Sequence, residues 1–289
     1  VRRFFLACLI CFTHVLSVCA VEPTKDSIAI GIPRSIFRDI PPALLSFANQ
    51  PFLDLMKAQT GYKGSVKNDP EAMTLAKELA EGKLDLVVFL GHEFAWAKEK
   101  YPDLTPLVVA TPRPKELRAY VLVRQDSKIT QFPELKGQKI ALPKTSRDLA
   151  KLYFEKKLAE NDISTASFGE IVKADTVENA LHMVVDGEAD ATFVDHASWN
   201  YYQKLHPGRS SSLKELSKSD PFPPTVIAYK KGSLDEATLK KLRDGLLTSH
   251  ENKKGQILMQ TIKLEKFDPV PEKYTDMIKE CLKQYPTPK

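Results

Sequence analysis

The residues best equipped for chemistry lie in the run Ala141-Leu142-Pro143-Lys144-Thr145-Ser146-Arg147-Asp148. A strand pattern ends there, two hydroxyls follow, and two cations flank them. At a helix start the first amide N–H groups lack intrahelical partners and the helix dipole adds positive potential, so Thr145, Ser146 and Arg147 predict an anion site. The same hydroxyls would also serve as a plain helix cap with no ligand at all. Other chemistries fit poorly. His92-Glu93 lacks the second histidine that a zincin helix places three residues later, and neither a phosphate-cradling glycine loop nor a Gly-x-Ser-x-Gly elbow occurs. His196 beside Asp195 would be a base next to its orienter only if the two shared a face, and adjacent strand residues do not. The reading is therefore of a binding protein rather than an enzyme, with no metal and no cofactor.

The elements that must position these residues follow a repeated grammar. Ser27 to Ile32 alternates and ends at Pro33, predicting a strand that leads into a loop from Arg34 to Pro42. Pro51 suits the first turn of a helix running to Gln59, and Asp69-Pro70 the start of another through Ala72, Leu75, Ala76 and Leu79, stopped by Gly82. Leu84 to Leu90 is a nearly continuous apolar run, as in a strand buried on both faces. The grammar then repeats: a strand over Gln138 to Leu142, a helix through Leu149, Leu152, Tyr153 and Leu158, and a strand over Ile171 to Lys173. A helix capped by Asp175 with Glu178 and ended by Gly187 follows, then a strand over Ala191 to Val194. Ala119 to Arg124 and Thr225 to Tyr229 read as strands between the two units. Helices capped at Ser233, from about Asn252 to Thr261, and after Pro271 close the chain. This order predicts that the C-terminal helices return to the first unit, so that two crossings join two lobes.

Composition narrows the class. The formal charge of +5 falls to +3 without Arg2 and Arg3, and basic pairs such as Lys156-Lys157 are scattered, which excludes a nucleic-acid binder. Arg2 and Arg3, the apolar stretch from Phe4 to Val18 and the small residues before Val21 predict a cleaved export signal over residues 1–20. The apolar stretch is too short for a membrane span, and none is expected after cleavage. Leu16-Ser17-Val18-Cys19 also approximates a lipobox, which would acylate Cys19. With the leader removed, Cys281 stands alone and no disulfide framework is expected.

Several separated segments share one likeness. Leu135-Lys136-Gly137-Gln138-Lys139-Ile140-Ala141 with the hydroxyl pair and its helix, Gly187-Glu188-Ala189-Asp190-Ala191 leading to Val194-Asp195, and Leu84 to Gly91 together resemble the phosphate, phosphite and phosphonate ABC-transporter periplasmic binding family. Asp220-Pro221-Phe222-Pro223-Pro224 is similar to that family's return crossing. Gly245 to Phe267, ending in Leu264-Glu265-Lys266-Phe267, is similar to its closing helices. The resemblance implies an α/β, two-lobed type II periplasmic-binding fold, each lobe a mixed, mostly parallel sheet flanked by helices and joined by two hinge crossings. Lobe 1 would comprise residues 21–118 and 226–289, and lobe 2 residues 119–225.

It further implies an anion seated on Thr145, Ser146 and Arg147, and Asp195 facing an amino group of the ligand. The loop after the first strand would add Arg34 and Ser35, and the segment Gly91-His92-Glu93-Phe94-Ala95-Trp96 would add Glu93 and an aromatic, Phe94 or Trp96. Glu93 departs from the family pattern, because it would repel a phosphonate unless an ammonium on the ligand or a nearby arginine intervened. The implied role is capture of a small anion in the periplasm by a monomer and its delivery to an ABC permease. A ligand-sensing adaptor of the same fold is the alternative reading.

Overall fold

A computed structural model describes residues 27–37, 45–112, 116–144, 148–261 and 264–288. The expected leader with Cys19, and Thr145, Ser146 and Arg147, lie outside these residues. The chain forms two sheets. The first includes β1 (Ser27–Pro33), β2 (Lys63–Asp69), β3 (Leu86–Phe89) and β4 (Leu104–Pro112). It is completed by β10 (Thr225–Lys230) and β11 (Leu264–Asp268), in the order β11-β4-β10-β3-β1-β2. The second is built from β5 (Ala119–Arg124), β6 (Lys139–Pro143), β7 (Glu170–Ala174), β8 (Ala191–Asp195) and β9 (Leu213–Lys218), in the order β7-β6-β8-β5-β9.

Both sheets are mixed, as expected, with parallel and antiparallel pairings in each. In the first, β1 pairs in parallel with β2 and β3, whereas β10 and β11 pair antiparallel. In the second, β6 pairs in parallel with β7 and β8, and β5 antiparallel with β8 and β9. Parallel neighbours arise where a helix returns the chain. Strands that follow a crossing enter from the other lobe and run the opposite way.

Helices cover the sheets where their apolar stripes require. On α2 (Ala72–Ala80) the predicted positions Ala72, Leu75, Ala76 and Leu79 are all buried. Each of the two leucines gains about 1.5–3 kcal/mol by leaving water. In the first layer, α1 (Leu45–Thr60) packs on α8 (Glu236–Leu247) and α9 (Lys253–Thr261), and α3 (Gly91–Lys100) packs on α10 (Tyr274–Gln284). The C-terminal helices have thus returned to the first sheet, as the order of elements predicted. The second sheet carries α4 (Asp148–Glu160), α5 (Val177–Val185), α6 (His196–Leu205) and the short α7 (Pro207–Ser210).

Several local expectations need correction. Pro51 lies inside α1 rather than at its start, where its missing N–H removes one helix hydrogen bond. Asp175 does not cap α5, because Thr176 has the extended backbone of a cap and accepts from the Asn179 N–H at 3.0 Å, leaving Asp175 paired with Lys144 at 2.7 Å. The cap of α8 is Asp235, not Ser233; it takes both the N–H and the hydroxyl of Thr238. Leu264 to Asp268, expected within closing helices, is the edge strand β11. Gly187 does end α5, with φ +77 in the region where a side chain would be strained.

The two crossings run side by side. Leu117 and Phe222 form an antiparallel bridge, the Ala119 N–H donates to Ser219 Oγ at 3.0 Å, and the Arg118 guanidinium donates to the Ser219 carbonyl at 2.7 Å. The start of α3 presses directly on this pair. A Cβ on Gly91 would lie 2.0 Å from the Pro223 carbonyl oxygen, so only glycine allows the approach. The end of α10 touches the second lobe, with Lys156 Nζ of α4 donating to Gln284 Oε1 at 2.6 Å. Among the described residues no helix is long and apolar enough to cross a membrane.

Candidate functional site

The turn from β3 into α3 and the start of α4 bring polar residues of the two lobes together. Glu93 sits in the first turn of α3 because its Oε2 accepts from the Leu90 N–H at 2.9 Å, a reach-back that satisfies the entry to the helix. Its other oxygen accepts from Ser35 Oγ at 2.6 Å. The predicted pair Ser35 and Glu93 is therefore in direct contact, and Glu93 is buried. A nitrogen of His92, an oxygen of Glu93 and an oxygen of Asp148, the first residue of α4, all lie within 4.8 Å of one another. The cluster thus draws two residues from the first lobe and one from the second.

His92 is 1% exposed and its Nδ1 has no hydrogen-bond partner. Its ring stands edge-on to Trp96, 4.9 Å between centroids, and to Phe222 of the return crossing at 6.1 Å. Burial pushes the imidazole down from its ordinary 6.5 to about 4, only partly opposed by the negative charge of Asp148, so the ring is neutral at physiological pH. His92 and Asp148 were not among the predicted site residues. The available signal was adjacency, since each is the chain neighbour of one that was, Glu93 and Arg147.

Other predicted residues are placed differently. Phe94 is 0% exposed and packs between Phe89 and Tyr274, at 6.0 and 6.1 Å, in the core beneath α3. This corrects the expectation that it lines a cleft. Glu93 turns toward Ser35, whereas Phe94, the next residue along α3, turns into the sheet. Trp96 uses its indole N–H on the Tyr285 carbonyl at 2.9 Å, toward the C-terminal segment. Arg34 is exposed in the single-turn helix that follows β1.

Asp195 ends β8 and caps α6, accepting from the N–H groups of Ala197 and Ser198 and from Ser198 Oγ at 2.7 Å. His196 is the first residue of α6 rather than a strand residue, and its Nδ1 meets the Tyr120 hydroxyl at 2.6 Å. Burial lowers its pKa. Asp195 and His196 therefore have separate partners, and the rejected base and orienter reading fails for a different reason from strand alternation. Cys281 is buried and free, and burial pushes its thiol up to about 12, which makes it a poor nucleophile. Among the described residues the donor atoms of two groups converge closely enough to hold a cation: His92 with Glu93 and Asp148, and Glu178 with His182 and His206.

A family model described as ABC transporter, phosphonate, periplasmic substrate-binding protein matches residues 36–274. Among solved structures, the chain is similar to a Xanthomonas citri protein bound to ATP, at 18% identity and a TM-score of 0.66, covering 90% of this chain and 97% of that one. It is similar to PhnD1 from Prochlorococcus marinus in complex with methylphosphonate, at 16% identity and a TM-score of 0.64, covering 90% and 98%. It is also similar to a binding protein component of an ABC phosphonate transporter from Pseudomonas aeruginosa, at 17% identity and a TM-score of 0.62, covering 90% and 87%. At these identities the likeness is one of fold. None of the curated proteins matches the chain.

Proposed function

Since the chain belongs to the ABC-transporter phosphonate periplasmic substrate-binding family, a family of transport receptors rather than enzymes, we propose that it captures a small phosphonate or related oxyanion between its lobes. The closed complex is then offered to a membrane permease. The moving bodies in this reading are residues 21–118 with 226–289, and residues 119–225. The observation that supports it is the cluster of His92, Glu93 and Asp148, which brings residues of the two lobes together and whose Asp148 follows Thr145–Arg147 in the chain.

In this mechanism the anion docks first at the start of α4, on free N–H groups and the hydroxyls of Thr145 and Ser146, with Arg147 neutralising its charge. Ser35, His92 and Glu93 then meet the second lobe. Closure is favoured because these contacts exist only in the closed state, so the ligand has differential affinity for it. Asp195 would face an amino group of the ligand, and Arg34 would add a contact from the first lobe. Two carboxylates, Glu93 and Asp148, stand beside the proposed anion seat, so a ligand carrying an ammonium group close to its phosphonate would suit the site.

A thermal-shift and calorimetric panel of methylphosphonate, 2-aminoethylphosphonate, phosphate, phosphite, an alkylsulfonate and a carboxylate tests this. Phosphonates are expected to raise the melting point, with about 2.7 kcal/mol of stabilisation at a hundredfold excess over Kd. The aminoethyl compound is expected to bind more tightly than the methyl one. A response confined to sulfonates or carboxylates, or none to any anion, would overturn the proposal.

A further inference from the structure

We propose that Glu178, His182 and His206 form a second, separate site on the second lobe that takes a zinc-class divalent cation. Glu178 and His182 stand one turn apart on α5, a spacing that puts both side chains on one face. The chain then runs through β8 and α6 and brings His206, the residue that closes α6, back to that face. His206 Nε2 and His182 Nε2 lie 2.8 and 3.5 Å from the same Glu178 oxygen, Oε1. The two imidazoles meet nearly edge-on, 5.1 Å between centroids. Two imidazole nitrogens and one carboxylate oxygen are the donor types zinc prefers, at about 2.0–2.2 Å each, with solvent in the fourth position. All three side chains reach the surface, so a cation has access from solvent. None of them belongs to the cleft cluster.

Hydrogen bonding around His182 gives the site a distinctive signature. Arg209 Nε donates to His182 Nδ1 at 2.9 Å, and arginine has no acceptor, so in the metal-free protein the ring proton of neutral His182 sits on Nε2, facing Glu178. A cation at Nε2 requires the other tautomer. The proton then resides on Nδ1, where the Tyr202 hydroxyl at 3.0 Å accepts it, and Arg209 withdraws while keeping its 2.6 Å pair with Asp186. The ring neither gains nor loses a proton overall. Arg209 is therefore a competitor of the cation rather than a supporter of the site.

The test is calorimetric titration of zinc into chelator-treated, tag-free full-length chain and its variants. A saturable step of one zinc per chain is expected. It should weaken at least about tenfold in Glu178→Gln and in His206→Ala, the loss that removal of even an outer partner of a metal ligand brings. In Arg209→Ala it should be unchanged or tighter. No saturable step, a step insensitive to Glu178→Gln and His206→Ala, or weaker binding in Arg209→Ala would overturn the proposal.

Discussion

Replacing Phe94 with alanine will destabilise the fold by about 3–5 kcal/mol, the usual cost of deleting a buried phenyl ring and leaving its cavity. Phosphonate affinity at a temperature where the variant stays folded will be unchanged. The ring is wholly buried between Phe89 and Tyr274, where α3 and α10 meet the first sheet, so its loss opens a hole that neighbouring helices can only partly close. Tyr274 is tied to the Pro224 carbonyl at 3.1 Å, which limits how far it can move into the gap. Denaturant unfolding measures the first quantity and calorimetry the second. A variant with near-normal stability but much weakened binding would return Phe94 to the cleft.

The second large effect is one of pH. The His92 imidazole titrates near 4 in the folded protein against about 6.5 when exposed, so between those values the unfolded chain holds a proton that the folded chain does not. A group whose folded pKa is depressed contributes its stability above the unfolded value, and that stability is lost as pH falls toward the folded one. The difference of 2.5 units corresponds to about 3 kcal/mol lost between pH 6.5 and 4. Carboxylates also titrate in this range, so the informative quantity is the difference in pH slope between the parent and His92→Gln. The parent is expected to fall more steeply by about that amount. Equal slopes would mean that the ring is not held neutral by burial.

Legibility in the sequence followed burial. Strands buried on both faces announced themselves: Leu86–Phe89 within the apolar run, Ala119–Arg124, Ala191–Asp195 and Thr225–Lys230 all lie where their patterns predicted. Several other strands did not. Lys63–Asp69 and Leu264–Asp268 lie at the two edges of the first sheet, so charge is tolerated and the alternation that marks a strand is diluted. Leu104–Pro112 carries Pro106 opposite Ala228, where the register shifts, and proline in a run argues against a central strand unless such an irregularity can be foreseen.

Site residues divide in a similar way. Ser35 and Glu93 were proposed because the family likeness draws contacts from the loop after β1 and from the start of α3, and the structure adds that their side chains meet. Their meeting requires β1 and β3 to be neighbours, an adjacency that the order of elements along the chain does not fix. Phe94 was misread because the likeness to a family fixes an aromatic near that point but not which face of α3 it occupies. His92 was passed over because a lone histidine has no spacing to read. Its significance comes from burial and from Asp148, more than fifty residues away along the chain.

The account stands most directly on the proposed anion seat at Thr145 and Ser146. Titrating methylphosphonate into the parent chain and into the Thr145→Ala, Ser146→Ala double variant measures it. Loss of two hydrogen bonds to a charged group, about 1.5–3 kcal/mol each, should weaken binding by about two orders of magnitude or more. Unfolding free energy should fall only by the value of a helix cap, about 1 kcal/mol per residue. A folded double variant that binds methylphosphonate as tightly as the parent would contradict the account.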